Sequence, residues 1–378
     1  MLSNEATLAA GLSVALALFL WQQRKLRLLI EEQAAKQLQQ QPPAPADEPH
    51  LPAWVTENSE FKKLLPHPLP PPPLASAASF KNPFGGTKDE SSFSAAFTSK
   101  LHELFPGAMN HEEAAVAIKH VLRKRGFTAK DSIALVAQCR DEITKPFTTA
   151  IDTTWLGSFN IGALAGSVIC GTTGFNAALH HAPQDAQQRE RYVIFCGPHI
   201  AIDENGIVGN VRRRGRAGVS TACGALLAFA GELAAGHIDV NDKPLDVEYS
   251  YLKKRLLPNL QFGHRAPTLA ELTRTCHDAT VRDVQDILKG VGKEKSVHAI
   301  ASGVLIHGPD DSHFFWPGGL QVNTEATASE DLLDELKGLR RSDYHAEMLW
   351  YLTAKSQSAN LLCAECAQCS GPLEAEKS

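Results

Sequence analysis

The chain has 378 residues, the length of one large domain or two ordinary ones. Its net charge is −5 and 7% of its residues are aromatic, which argues against a general nucleic-acid binder and against a stacking platform for single strands. Eight cysteines are too few for a disulfide scaffold in a chain of this length, so we expect buried thiols or metal ligands.

Residues 1–32 predict a hydrophobic anchor helix. Residues 8–21 carry no charge, and a basic cluster at residues 24–27 follows. The run is shorter than the ~20 residues of a typical membrane span, but its basic flank indicates an anchor that keeps the rest of the chain on the cytosol-like side. Glu5 and the absence of earlier basic residues argue against a cleaved secretory signal and an organelle transit peptide. Mitochondrial, endomembrane and plastid locations all remain open.

Residues 33–90 predict a linker that is first polar and then proline-rich. Eleven of the 22 prolines lie between Pro42 and Pro73. Such a run is typical of polyproline II, a semi-rigid spacer without a core of its own. An alternative function is that of a scaffold protein, recruited to its partners through this proline-rich arm.

Residues 91–356 predict an α/β domain, a sheet flanked by helices. Apolar residues at helical spacing from 93 to 104 predict one helix, and Asn110 predicts the cap of a second. Three short apolar runs predict buried strands, at residues 133–137, 192–195 and 300–306. Because helical segments separate them, among them the apolar stretch 223–235, the pattern indicates a covered sheet.

The last segment, residues 357–378, is predicted to be a cysteine-containing tail. Cys363, Cys366 and Cys369 have the spacing of half a zinc or iron–sulfur site. No fourth ligand follows nearby in the sequence, so a flexible tail with exposed thiols is the alternative.

Chemically active residues follow the predicted strands. Cys139 and Asp141 come after the first strand, and His199 follows the second, at the sheet edge where α/β proteins bind ligands. Cys223 begins the apolar helix, where the helix dipole favours a thiolate. Two thiolates and an imidazole are a ligand set for a catalytic zinc site that leaves one position to water. The alternative is that both cysteines lie in the core and His199 in a loop.

Four segments, taken in order, resemble the limiting-CO2-inducible protein B/C family. They are CRDEIT at 139–144, GALAGSVICGTTGFNAALHHAP at 162–183, RYVIFCGPHIAID at 191–203 and GRAGVSTACGAL at 215–226. The resemblance covers roughly residues 90–355. It implies a β-carbonic-anhydrase-like fold, with Zn2+ held by Cys139, His199 and Cys223.

The resemblance also implies catalytic roles. Asp141 would be the carboxylate beside the metal, and an arginine would pair with it. The β-enzymes carry that arginine four residues after the first cysteine, where this chain has Ile143, so the partner is left open among three candidates: Arg140, Arg213 and Arg216. His180 and His181 are candidate proton shuttles.

The implied function is that of a carbonic anhydrase, a lyase that interconverts CO2 and bicarbonate through a zinc-bound hydroxide. In β-type sites the aspartate can instead bind zinc and close the site. The alternative is therefore a catalytically silent family member, acting as a CO2 or bicarbonate sensor or as a subunit of a hetero-complex. The expected partners are CO2 or bicarbonate, a membrane, and a second copy or a related subunit, with no nucleic acid.

Overall fold

The computed structural model describes residues 92–184, 190–260, 266–293, 296–324 and 329–369, with side chains up to residue 357. The predicted anchor (1–32) and linker (33–90) lie outside these residues, and so do the side chains of Cys363, Cys366 and Cys369. Among the described helices, none has the length and apolar character needed to cross a lipid bilayer.

The chain enters the described region through two capped helices. Helix α1 (Ala95–Leu104) begins after Ser94, whose side chain accepts from the amide of Phe97. Strand β1 (Met109–Asn110) leads into helix α2 (His111–Arg123). The Asn110 side chain accepts from the amides of Glu112 and Glu113, which confirms the predicted cap.

The apolar runs form the strands of one central sheet. Strand β2 (Ile133–Ala137) is followed by helix α3 (Lys145–Trp155), strand β3 (Ser158–Asn160), helix α4 (Gly171–Leu179) and strand β4 (Arg191–Cys196). Strand β4 is parallel to β2, which is parallel to β3. These three strands therefore end at the same edge of the sheet.

The segment from residue 197 to residue 296 carries His199, Arg213 and Cys223. It contains strand β5 (His199–Ala201), the hairpin of β6 (Asn210–Val211) with β7 (Ser220–Thr221), and two helices, α5 (Gly224–Ala235) and α6 (Val247–Leu256). Helix α7 (Leu269–Gly290) then crosses back to the sheet.

The remaining strands extend the sheet on the other side. Strands β8 (Val297–His307) and β9 (His313–Asn323) pair antiparallel, and β8 is parallel to β4 and β5. Strand β10 (Glu330–Asp331) pairs with β9, followed by helices α8 (Leu333–Gly338) and α9 (His345–Cys369). The main strand order is β1-β9-β8-β4-β2-β3. The domain boundary predicted at residue 356 falls inside α9.

No continuous apolar run in the sequence marks strand β9. Pro317 and two glycines interrupt its pattern, and proline cannot donate to a strand ladder. The structure accommodates them because the β8–β9 register shifts between Ser302 and Gly303, opposite this part of β9.

Helices cover both faces of the sheet, as predicted for an α/β fold. One face packs on α2, α3 and α9 around buried aromatic residues such as Phe147, Trp155 and Phe195. The other packs on α4 and α7, with Phe175 and Val284 in the core. A further apolar cluster lies among α5, α6 and α7 and contains the two cysteines predicted as ligands. A mixed α/β sheet flanked by helices thus positions the site.

Candidate metal centre

Two parallel strands bring Cys139 and His199 together. Ala137, the last residue of β2, pairs with Cys196, the last residue of β4. Cys139 follows Ala137 by two positions and His199 follows Cys196 by three. The amide of Gly197 donates to the Ala137 carbonyl at 3.2 Å, so the two chain segments stay paired beyond the strands.

Glycines permit the close backbone approach at this edge. Gly197 has a φ of +145°, and a Cβ added there would lie 1.8 Å from the carbonyl oxygen of Gly303. A Cβ added at Gly166 would lie 2.3 Å from the carbonyl oxygen of Gly197. Any larger residue would displace the segment that carries His199.

The hairpin of β6 and β7 brings Cys223 to the same place from farther along the chain. The Ala201 amide donates to the Ala222 carbonyl at 3.3 Å, and the Ala222 amide donates to Gly209 at 3.0 Å. Cys223 is the N-cap residue of α5. Its position beside β5 therefore depends on backbone hydrogen bonds between segments that are separate in sequence.

The three predicted ligands form one buried cluster. The ligand atoms of Cys139, His199 and Cys223 all lie within 4.8 Å of one another. Their relative exposures are 7%, 0% and 1%. Two sulfurs and one imidazole nitrogen so close together, away from solvent, have the composition of a zinc site with three protein ligands.

Hydrogen bonds stabilise negative charge on the cluster. The Cys223 thiol donates to the sulfur of Cys139, and this bond, together with His199, lowers the pKa of Cys139 to about 4 despite its burial. The amide of Ala165 also donates to the Cys139 sulfur, at 3.2 Å. The shared proton and burial raise the pKa of Cys223. A divalent cation would replace that proton and bind both sulfurs as thiolates.

A second observation fits a metal ion. Nε2 of His199 is fully buried and has no hydrogen-bond partner within the described part of the chain. Oδ2 of Asp141 lies 3.9 Å from this nitrogen. An unpaired buried nitrogen is costly, and coordination through its lone pair would satisfy it. The residues present therefore fit Zn2+.

Asp141 is held by Arg213. The guanidinium donates from Nη1 to Oδ1 at 2.6 Å and from Nη2 to Oδ2 at 2.8 Å. Burial by itself raises the pKa of the Asp141 carboxyl, but the hydrogen bonds with Arg213 and Glu142, together with nearby positive charge, lower that pKa to about 2. Arg213 is fixed in turn by Ser220 and by the carbonyl of Thr221, both in β7.

The other two candidate arginines occupy different positions. Arg140 is exposed and donates to Glu248 of α6 from Nε and Nη2, both at 2.7 Å. Arg216 is exposed in the loop between β6 and β7. Of the three arginines that the sequence left open, Arg213 is the one that the structure pairs with Asp141.

The candidate proton shuttles do not belong to the buried cluster. His180 and His181 are exposed at the C-terminal end of α4, and the His181 ring packs on Phe159 at 5.6 Å. Of the small residues between 157 and 174, Ala165 belongs to the apolar cluster around the cysteines.

Two residues next to the site, Glu248 and His307, were not predicted from the sequence. Oε2 of Glu248 accepts from the amide of Leu164 at 2.9 Å, so α6 holds the loop that donates Ala165 N–H to Cys139. His307 contacts Nδ1 of His199 at 2.9 Å through its own Nε2. A histidine at the end of the apolar run 300–306 was a signal for the second contact, whereas no local pattern marks Glu248.

Two solved structures are similar to this chain in fold. The crystal structure of PtLCIB4, a homologue of the limiting CO2-inducible protein LCIB, is similar at a TM-score of 0.54 and 23% identity, over 62% of this chain and 98% of the other. The crystal structure of LCIB itself gives a TM-score of 0.52 and 27% identity, over 62% and 97%.

No curated protein matches the sequence. Residues 108–324 match the sequence model of the family described as limiting CO2-inducible proteins B/C β-carbonic anhydrases. This match takes in all three cluster residues together with Asp141 and Arg213. The chain belongs to the limiting CO2-inducible protein B/C family.

Proposed function

We propose that the protein is a zinc-dependent carbonic anhydrase that interconverts CO2 and bicarbonate. The observation that carries this proposal is the buried cluster of Cys139, His199 and Cys223 beside an aspartate that Arg213 holds ionised. Membership of the family supports a function that involves CO2 or bicarbonate.

The cluster supplies the ligands. The sulfurs of Cys139 and Cys223 and Nε2 of His199 would hold the ion, and three protein ligands leave one position open to water. When bound in such a site, zinc lowers the pKa of water to about 7 and so provides a nucleophile near neutral pH.

Asp141 would orient the reacting water by accepting a hydrogen bond from it. Arg213 keeps this carboxylate ionised and fixes both of its oxygens. A carboxylate engaged at both oxygens is less available as a fourth metal ligand. The pairing therefore favours the open, active site over the closed one.

The surroundings of the cysteines suit an uncharged, apolar substrate. Leu226, Phe229 and Leu272 lie in the same buried cluster as Cys139 and Cys223. Water-poor surroundings strengthen the hydrogen bond between Asp141 and the reacting water. Bicarbonate, which is charged, would be bound less well than CO2 beside such apolar side chains.

The alternative function is that of a silent family member, a CO2 or bicarbonate sensor or a hetero-complex subunit. Attachment to a membrane through residues 1–32, with the domain on the cytosol-like side, and assembly with a second copy or a related subunit are further proposals from the sequence.

The test uses the full chain. Zinc per chain is measured by elemental analysis, and CO2 hydration is followed by stopped flow for wild type, Cys139→Ala and Cys276→Ser. Cys276 is a matched control because it is buried in the same apolar cluster and its thiol donates to the carbonyl of Ala165, a bond that serine keeps.

We expect about one zinc per chain, hydration by wild type and Cys276→Ser, and loss of both properties in Cys139→Ala. Wild-type protein that binds zinc but does not hydrate CO2 would overturn the proposed enzymatic activity and support the catalytically silent alternative. Wild-type protein without zinc would overturn the ligand assignment as well.

A further inference from the structure

Three histidines lie in line behind the metal-ligand cluster, on three adjacent strands. His199 is on β5, His307 ends β8 and His313 begins β9. Ala201 pairs with His307, and His307 pairs with His313. Since alternate residues of a strand share a face, His199 lies on the same face as Ala201 and thus diagonally opposite His307.

Ring-to-ring hydrogen bonds join the three side chains. Nδ1 of His199 lies 2.9 Å from Nε2 of His307, and Nδ1 of His307 lies 2.9 Å from Nδ1 of His313. The ring centroids are 5.1 Å apart in both pairs, and the planes are inclined at 76° and 86°. His307 is 1% exposed, so water does not compete for its nitrogens.

The position of the ring proton on His199 determines the positions of the ring protons on the other two histidines. A metal ion bound at Nε2 of His199 requires the proton of that ring on Nδ1, which then donates to Nε2 of His307. The proton of His307 must therefore lie on Nδ1, from which it donates to Nδ1 of His313. If His307 instead donated to His199, Nε2 of His199 would carry the proton and could not bind metal.

We propose that His307 is a positioning residue for the ligand His199, and that His313 holds His307 in the tautomer that accepts from it. This inference rests on the proposed zinc site. In this role His307 would touch neither metal nor substrate, and it would act by fixing the proton and the ring orientation of His199. Ligand histidines in proteins commonly donate their second nitrogen to an acceptor, and here that acceptor is another imidazole.

The experiment measures metal affinity in the full chain, with zinc and cobalt(II) as the probes. The Zn2+ dissociation constant is determined by competition with a chromophoric chelator for wild type, His307→Phe and His307→Gln. Phenylalanine keeps the ring volume but has no acceptor. Glutamine places an oxygen near the position of Nε2 and can accept the same hydrogen bond. The absorption spectrum of the cobalt(II) protein reports ligand geometry.

A buried histidine on the same strand provides the control. His298 lies at the other end of β8, is 8% exposed and contacts the carbonyl oxygen of Ser296 through Nδ1. His298→Phe disturbs the same strand without touching the chain of histidines. Thermal unfolding of every metal-free variant shows whether it is folded.

We expect His307→Phe to weaken zinc binding by on the order of 10- to 100-fold and to change the cobalt spectrum. His307→Gln should recover most of the affinity, and His298→Phe should match wild type. Unchanged affinity and spectrum in folded His307→Phe would overturn the inference, as would a His307→Gln protein as weak as His307→Phe.

These outcomes separate this inference from the proposed function. If wild type and His307→Phe bind zinc equally tightly, His307 has no positioning role, and the proposed enzymatic function is not contradicted. If His307→Phe binds zinc weakly but wild type does not hydrate CO2, the positioning role is supported and the proposed enzymatic function is overturned. Wild type without zinc overturns both.

Discussion

Arg213 donates two hydrogen bonds to Asp141, one to each carboxylate oxygen, across 72 positions of sequence. A planar guanidinium matches a carboxylate in this way and a lysine cannot. The pair is mostly buried, with 15% and 14% of the two side chains exposed. It therefore restricts Asp141 to one orientation beside the ligand cluster.

The first prediction concerns this pair. Arg213→Lys keeps the positive charge but loses the bidentate contact, so we expect CO2 hydration to fall on the order of 10- to 100-fold with zinc content unchanged. Stopped-flow rates and elemental analysis on the same sample measure both. Arg212→Lys is the control, because Arg212 is exposed and contacts Glu204. Equal rates in wild type and Arg213→Lys would contradict the role of the pair.

The second prediction concerns the rejected candidate Arg140. Its side chain is 61% exposed and pairs with Glu248, and an exposed ion pair contributes at most about 1 kcal/mol. We expect Arg140→Gln to lower the free energy of unfolding by less than that, and to leave hydration close to wild type. Urea unfolding and stopped flow test both statements. A loss of activity as large as that of Arg213→Lys would make Arg140 part of the site.

The third prediction concerns the glycine that precedes His199. Gly197→Ala places a methyl group against the carbonyl of Gly303 in a backbone conformation that favours glycine. We expect the free energy of unfolding to drop by on the order of 2–6 kcal/mol, from backbone strain and overpacking together.

Gly231→Ala is the matched control, in which the same substitution is expected to have the opposite effect on stability. Gly231 lies within helix α5, and no atom stands within 4 Å of an added Cβ. Alanine there should raise the free energy of unfolding by about 0.5–1 kcal/mol. Urea unfolding of both variants measures the difference. Similar stability in the two variants would show that the crowding at Gly197 is relieved by backbone movement.

The fourth prediction concerns pH and the metal-free protein. Burial lowers the pKa of His298 below its usual value and lowers that of His313 to about 4, with His111 adding to the second shift. The unfolded histidines titrate near 6.5 and bind protons that the folded chain excludes. The contribution of these histidines to the free energy of unfolding is therefore fully present above pH 6.5 and is lost as the pH falls from 6.5 towards 4.

Urea midpoints at about pH 7.5 and about pH 5, with chelator present, measure this loss. His298→Gln removes one of the titrating groups and should make the dependence shallower. A midpoint that rises on acidification, or a slope unaltered by His298→Gln, would show that other groups control the pH dependence.

Local sequence patterns were enough to identify the strands that are continuous apolar runs and the residues that follow them. Residues 133–137 form β2 as predicted. Cys139 and His199 lie close together because each follows one of two neighbouring parallel strands, and parallel strands end at the same edge of the sheet. The cap at Asn110 was equally readable, because capping involves residues two and three positions away. Long ordered motifs indicated the family, which the match over residues 108–324 confirmed.

The side chains that meet across long separations could be identified only in the folded chain. Arg213 rather than Arg140 reaches Asp141, because the β6–β7 hairpin returns to the end of β2, whereas Arg140 points to α6. His307 reaches His199 through the register of β5 and β8, which no local pattern encodes. Local propensity acts over a few residues, whereas these contacts depend on packing and strand register, so they become visible only in the folded chain.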